Sequence, residues 1–234
     1  MHLANPLALR RPWRRTLARG AVLAGLVLSG QGMAWEPQTF LDAAHTRGPA
    51  TEALAQTLTQ LIAQASTLPE RERLQLVNDF FNRRIRYVED IEVWGQRDHW
   101  ASPLEMLDKG RGDCEDYAMA KYFSLMAAGV SEAKMRMVYV RAVMGTRSFA
   151  HMVLAYYAEP TAEPLILDNL RPRIELASRR MDLAPVFSFN AEGMWTEGAG
   201  ARATPAGDPL ARLSRWRDVL SKAREEGWWT YVGK

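Results

Sequence analysis

The stretch Gly110-Arg111-Gly112-Asp113-Cys114-Glu115-Asp116-Tyr117-Ala118 carries the chain's single cysteine and decides how the rest is read. A glycine-flanked turn leads directly into Ala118, Met119, Tyr122, Phe123 and Met126, which recur at helical spacing until Gly129, a residue suited to ending a helix. Cys114 is therefore expected at or just inside a helix N-terminus, where unsatisfied amides and the helix dipole favour a thiolate. Just upstream, Ser102-Pro103-Leu104-Glu105 combines an N-cap serine, a first-turn proline and a glutamate at the third position, so a short helix should start there and end at Gly110.

Working outward toward the N-terminus, the segment from Asp90 to Trp100 is polar and aromatic and reads as a loop, with Ile85 to Val88 extended. Leu54, Leu58, Leu61, Ile62 and Ala65, then Leu74, Val77, Phe80 and Phe81 after Pro69, form two apolar helical stripes that belong to a core. A short extended segment precedes them. Toward the C-terminus, three β segments are expected over 135–143, 149–157 and 165–168, with Gly145 and Ser148 in a hairpin connection. Period-two alternation puts His151, Val153, Ala155 and Tyr157 on one face. Beyond Asp168 the pattern weakens: Pro172, Pro185 and a Gly/Ala-rich run from Gly198 to Gly207 read as loop, and a last amphipathic helix is expected over 209–226. Trp228 and Trp229 then either cap the core or serve a partner surface, and their large area favours the core. The class is α+β, with N-terminal helices and the cysteine-bearing helix packed on an antiparallel sheet.

At the far N-terminus, Arg10, Arg11, Arg14, Arg15 and Arg19 precede an apolar run from Ala21 to Leu28 that is too short to span a bilayer. With small Gly32 and Ala34 flanking Met33, residues 1–34 are expected to be a signal peptide and residues 35–234 a single exported domain. Those 34 residues hold five of the 30 basic residues and none of the 27 acidic ones, leaving 25 against 27 and a net charge near −2 beyond them. No basic stripe with interleaved aromatics remains, which excludes a nucleic-acid groove. One cysteine permits no internal disulfide, so the fold rests on packing, and a lone thiol sent to an oxidising compartment invites a chemical use.

A cysteine hydrolase needs a thiolate, an imidazole that takes and returns its proton, and an acceptor that fixes the imidazole tautomer. Cys114, His151 and Asp168 fall in the order helix start, strand, next strand end, which lets them converge. Each has a plainer alternative: an inert core thiol, a hydrogen-bonded strand histidine with His45 and His99 as rival bases, and an aspartate that only starts a turn. Asp113, Glu115 and Asp116 crowd three carboxylates around the thiol, and negative charge there raises a thiol pKa. Either they point away as solvated first-turn acids, or a hard cation with a taste for oxygen ligands, such as Ca²⁺, neutralises them.

These residues also carry a resemblance. Gly112-Asp113-Cys114-Glu115-Asp116-Tyr117-Ala118 with Lys121-Tyr122, then Ala150-His151-Met152-Val153-Leu154 and Leu165-Ile166-Leu167-Asp168-Asn169, resemble the bacterial transglutaminase-like cysteine proteinases of the LapG type, over roughly residues 70–175. The resemblance implies a transglutaminase/papain-like protease core with Cys114, His151 and Asp168 as the triad and a calcium site built where Asp113, Glu115 and Asp116 fall. It further implies a periplasmic, Ca²⁺-dependent endopeptidase that cuts a large repeat adhesin near its N-terminus at a di-alanine site and so releases cells from biofilm. An inner-membrane cyclic di-GMP receptor of the LapD type is implied as the sequestering inhibitor. Residues after 175 match no motif of the family. The same triad would also serve acyl transfer or peptidoglycan amide cleavage, and a calcium-organised binding module without catalysis is the remaining alternative.

Overall fold

The computed structural model describes residues 35–196 and 204–228. The leader at 1–34, Trp229 and the 198–203 portion of the Gly/Ala-rich run lie outside the described residues. Five helices lead the described chain: α1 (Pro37–His45), α2 (Pro49–Ser66), α3 (Glu70–Arg84), the one-turn α4 (Asp90–Trp94) and α5 (Pro103–Lys109). The segment expected to be extended is thus α1, started by Pro37 and fixed by burial of Phe40 and Ala44. The stretch expected as loop contains α4, and Asp90 at its start is buried. Two-residue strands β1 (Arg86–Tyr87) and β2 (Arg111–Gly112) pair in parallel and present the next residues, Asp113 and Cys114, to α6 (Cys114–Ala127).

The second half is β3 (Met135–Met144), β4 (Arg147–Tyr156), β5 (Leu165–Leu167), β6 (Glu175–Leu176), β7 (Leu183–Phe189), β8 (Met194–Thr196) and β9 (Thr204–Gly207), followed by α7 (Pro209–Arg212) and α8 (Ser214–Glu225). The strands form one antiparallel sheet in the order β6-β5-β4-β3-β7-β8-β9. Gly145, at φ 62°, makes the tight β3–β4 turn between the paired Met144 and Arg147, so Ser148 is already in the strand. Strands β7 to β9 were not legible, and Thr204–Gly207 is strand where loop was expected. The expected single final helix is broken at Leu213, whose φ of −116° and ψ of 86° leave the helical region.

Two apolar clusters hold the layers together. The larger joins α1–α3, α5, α6 and α8 to Met135, Met137, Met152, Leu154, Tyr156, Leu167 and Phe189 on one face of the sheet. The smaller comprises Val138, Val140, Val153, Ala155 and Ile166, which alternate with those residues and therefore lie on the other face. Trp228 packs on Trp35 and Phe40 with ring centroids 4.6 Å apart in each pair, as the core reading expected. Just before it, Glu226 reaches back across the fold: the Ser102 hydroxyl donates to its Oε1 at 2.5 Å, the Leu104 amide to its Oε2 at 3.4 Å, and Arg47 pairs with it at 3.3 Å. Among the described residues no helix is long and apolar enough to cross a membrane.

Candidate active site

The thiol is delivered by local geometry that the sequence specifies closely. Ser102 and Glu105 form the expected capping box, and Gly110 ends α5 at φ 60°. Gly112 is required by close approach: a Cβ there would lie 2.6 Å from Asp116 Oδ2 and 2.9 Å from Asp116 Cβ. Cys114 is the first residue of α6, as expected. Its Sγ donates to Glu115 Oε2 at 3.0 Å, and the nearby Met152 amide favours the thiolate. Because β5 pairs only with Leu154–Tyr156 of β4, that edge is unpaired by β5 at Met152 and open to the thiol.

On β4, His151 Nε2 lies 2.8 Å from Asp168 Oδ1, leaving Nδ1 as its second polar atom. Both side chains are buried. Asp168 sits immediately after β5, where its Oδ1 also accepts from the Leu170 amide at 3.0 Å and its Oδ2 accepts from Arg180 Nη2 at 2.6 Å. The turn role and the acceptor role of Asp168 therefore coexist. Burial alone would push its carboxyl up, but His151, the Leu170 amide and Arg180 together outweigh burial and hold it down at about 2. His45 is exposed and paired with Glu52, and His99 stacks on Trp94 with centroids 4.2 Å apart, so neither rival histidine takes this place.

Cys114 and His151 line one cleft of about 920 Å³, with Met152, Tyr139, Phe187 and Trp100 among its walls. Trp94 does not line it and packs instead against His99 and Lys109. Lys121, two helical turns beyond Cys114, is completely buried with no hydrogen-bond partner for Nζ. Burial brings its amine down to about 7 against the opposing pull of Asp168 and Asp79.

The acids beside the thiol are not solvated. Asp116 is 1% exposed and Asp113 7%, which removes the reading that they point away into water. Asp116 Oδ1 accepts from the Ala101 amide at 2.8 Å and Oδ2 from the Asp113 amide at 3.3 Å, stitching the loop before α5 to the start of α6. Carboxylate oxygens of Asp113, Asp116 and Asp90 lie within 4.8 Å of one another, and Asp113 and Glu115 make a second such group with the thiol. Asp113 Oδ1 and Asp90 Oδ1 are buried and without hydrogen-bond partners. Burial, then the charges of Glu115 and Asp116, raise Asp113 to about 10. Burial, with Glu115 and other acids adding to it, raises Asp90 to about 6. Burial likewise pushes Cys114 well up, helped by Glu115 and Asp113 and opposed by the Met152 amide. Orphaned carboxylate oxygens among buried acids fit a hard divalent cation such as Ca²⁺. Asp90 and Arg180 were missed: the first starts the one-turn α4 and the second follows a single 3₁₀ turn, elements too short to show a period, and only the acidic character of the 90–100 stretch pointed toward the first.

A family model described as bacterial transglutaminase-like cysteine proteinase matches residues 43–181. Among solved structures, EGTA-treated Legionella pneumophila LapG is 34% identical with a TM-score of 0.71, covering 82% of this chain and 99% of that one. Calcium-bound Legionella pneumophila LapG is 36% identical with a TM-score of 0.70, covering 80% of this chain and 98% of that one. No curated protein sequence matches significantly. The arrangement of one thiol, a carboxylate-held histidine and an acid cluster thus sits on a LapG-like, transglutaminase-like fold, and the chain belongs to the bacterial transglutaminase-like cysteine proteinases.

Proposed function

We propose that this cysteine protease is a periplasmic, Ca²⁺-dependent endopeptidase with Cys114, His151 and Asp168 as its triad. It cuts a large surface adhesin near its N-terminus at a di-alanine site and thereby controls release from biofilm. The observation that carries the reading is the His151–Asp168 hydrogen bond of 2.8 Å beside the only cysteine, in one cleft of a chain with LapG-like structure. Export through residues 1–34 rests on the arginine-led apolar leader and on the lone thiol. Sequestration by an inner-membrane cyclic di-GMP receptor of the LapD type rests on the family resemblance.

In the reaction, Cys114 gives its proton to His151 Nδ1 while sulfur bonds to the scissile carbonyl carbon. The C–N bond then breaks as His151 protonates the leaving amine. Water, giving a proton to His151, hydrolyses the thioester and the thiol is restored. Asp168, ionised and bonded to Nε2, fixes the tautomer and supports the imidazolium. Backbone amides at the start of α6 supply candidate oxyanion donors. Asp90, Asp113, Asp116 and Glu115 would hold Ca²⁺, which supplies positive charge that neutralises the acids crowding the thiol.

The test is cleavage of a purified adhesin N-terminal fragment by residues 35–234, with and without a chelator and beside Cys114→Ala. A cut that needs both calcium and the thiol supports the whole reading. Cutting that survives chelation removes the calcium dependence. No cutting, with release of stem peptides from peptidoglycan or capture of an added amine, replaces proteolysis of adhesins by amidase or acyltransfer chemistry.

A further inference from the structure

Arg180 lies 12 residues beyond Asp168, at the end of the 3₁₀ turn Ala177–Arg179 and ahead of β7, yet its guanidinium is buried against the triad. Its Nη2 donates to Asp168 Oδ2 at 2.6 Å and to Asp182 Oδ2 at 2.8 Å, and its Nε donates to Asp182 Oδ1 at 3.0 Å. Asp182 in turn pairs with Arg171 at 3.4 Å, nearer the surface.

Burying a guanidinium is expensive, and a neutral donor would satisfy Asp168 Oδ2 at lower cost. Two features of the site account for the charge. Asp168 Oδ1 is shared by His151 and the Leu170 amide, and Arg180 anchors the other oxygen, so the guanidinium completes the restraint on rotation of the carboxylate about its last bond. β5 is only three residues long and supplies little stiffness of its own. The charge count is the second feature. Asp168, Arg180 and Asp182 together carry one net negative charge, because Asp182 offsets the guanidinium and prevents it from cancelling Asp168. The other ionisable groups facing this trio are His151 on β4, Lys121 on α6 and, beyond Lys121, Asp79 on α3, together with Arg171, which is half-exposed to solvent and divides its charge between Asp182 and Glu175.

We infer that Arg180 is a positioning residue for the proteolytic reaction, acting through Asp168 to hold the His151 ring and its Nε2 proton in the working orientation, with Asp182 keeping the net charge of the anchor negative. This rests on the triad reading given above and extends it by one residue that touches neither substrate nor thiol.

The experiment follows the His151 Nε2–H proton by its low-field NMR resonance and solvent-exchange rate in Arg180→Met, Arg180→Gln and Arg180→Lys, alongside kcat and KM on the adhesin fragment. Circular dichroism checks that each variant is folded. Arg180→Met and Arg180→Gln are expected to exchange that proton at least about tenfold faster and to lose on the order of 10²-fold in kcat with KM little changed, the pattern of a disturbed general base. Arg180→Lys, which keeps a charged donor, is expected to recover most of both. The two neutral variants differ in shape, so one that fails to fold leaves the other to decide. A folded Met or Gln variant with the parent's exchange rate and kcat overturns the inference, as does a Lys variant no better than Gln. The proton readout needs no substrate, so failure of the adhesin to be cut would sink the proposed function while leaving this arm to decide on Arg180.

Discussion

Asp168, behind the cleft residue His151, and the acid cluster around Asp113, beside the cleft residue Cys114, are both buried and have opposite electrostatics. Asp168 is buried with Arg180, His151 and a backbone amide turned toward it, and its carboxyl is held at about 2. Asp113 is buried among Asp116, Asp90 and Glu115 with no cationic side chain paired with it among the described residues, and rises to about 10. Residue type and burial are shared, so the difference is the source of compensation. One acid has its countercharge built into the covalent chain. The other lacks one, and on the proposed calcium reading it would take its countercharge from solution, coupling the thiol next door to a soluble ion.

The largest effect that would sharpen this contrast is expected from Asp168→Asn: a loss of about 10³- to 10⁴-fold in kcat, from the wrong histidine tautomer, with the calcium response of Tm intact. Retention of activity within tenfold would break the comparison on the catalytic side. Next, calcium is expected to raise the parent's Tm, a stabilisation of about 4 kcal/mol when calcium is a thousandfold above its Kd, and Asp113→Asn and Asp116→Asn are expected to abolish that rise. Scanning calorimetry with calcium and with chelator reads this directly.

The raised Asp113 also makes a signed pH prediction. Its contribution to stability is full below the unfolded value of about 4 and is lost as pH rises through about 10, so chelated protein should melt lower at pH 9 than at pH 5. Calcium must displace that proton, so its apparent affinity should climb over the same range, and a pH-independent titration would refute the assignment. The smallest effect is expected at Lys121. With its amine lowered to about 7, the folded state gives up a proton that the unfolded chain keeps until about pH 10, so this residue makes stability rise with pH between those values. In calcium-loaded protein, Lys121→Met should remove that rise and add on the order of 1 kcal/mol at pH 7, measured by denaturant melts.

The sequence was most legible where local chemistry and function coincide. Ser102, Gly110, Gly112 and Gly129 punctuate the chain around Cys114 by capping and close approach, which need no tertiary information. His151 was readable because it stands on a strong strand signal, and Asp168 because it directly follows one. The face was harder to read: the helices cover Met152 and Leu154, while Val153 and Ala155, in register with His151, belong to the second apolar cluster. Alternation gives relative sides but not which side is covered. β7 escaped notice because Pro185 interrupts its pattern, and it is tolerated beside a register shift at Tyr139/Val140 of β3. Asp90 and Arg180 enter the site only by tertiary folding, from segments with no period to betray them.

The Glu226 clamp bears on the order in which the protein assembles. Its partners Ser102 and Leu104 are 124 and 122 residues away in sequence, so the contact closes a long loop and can form only after the whole intervening stretch has been made. Ser102 adjoins Ala101, whose amide holds Asp116 at the threshold of the thiol. Until α8 has docked, the loop that steadies that acid lacks its outer anchor, and proteolytic competence therefore waits on the docking of that helix.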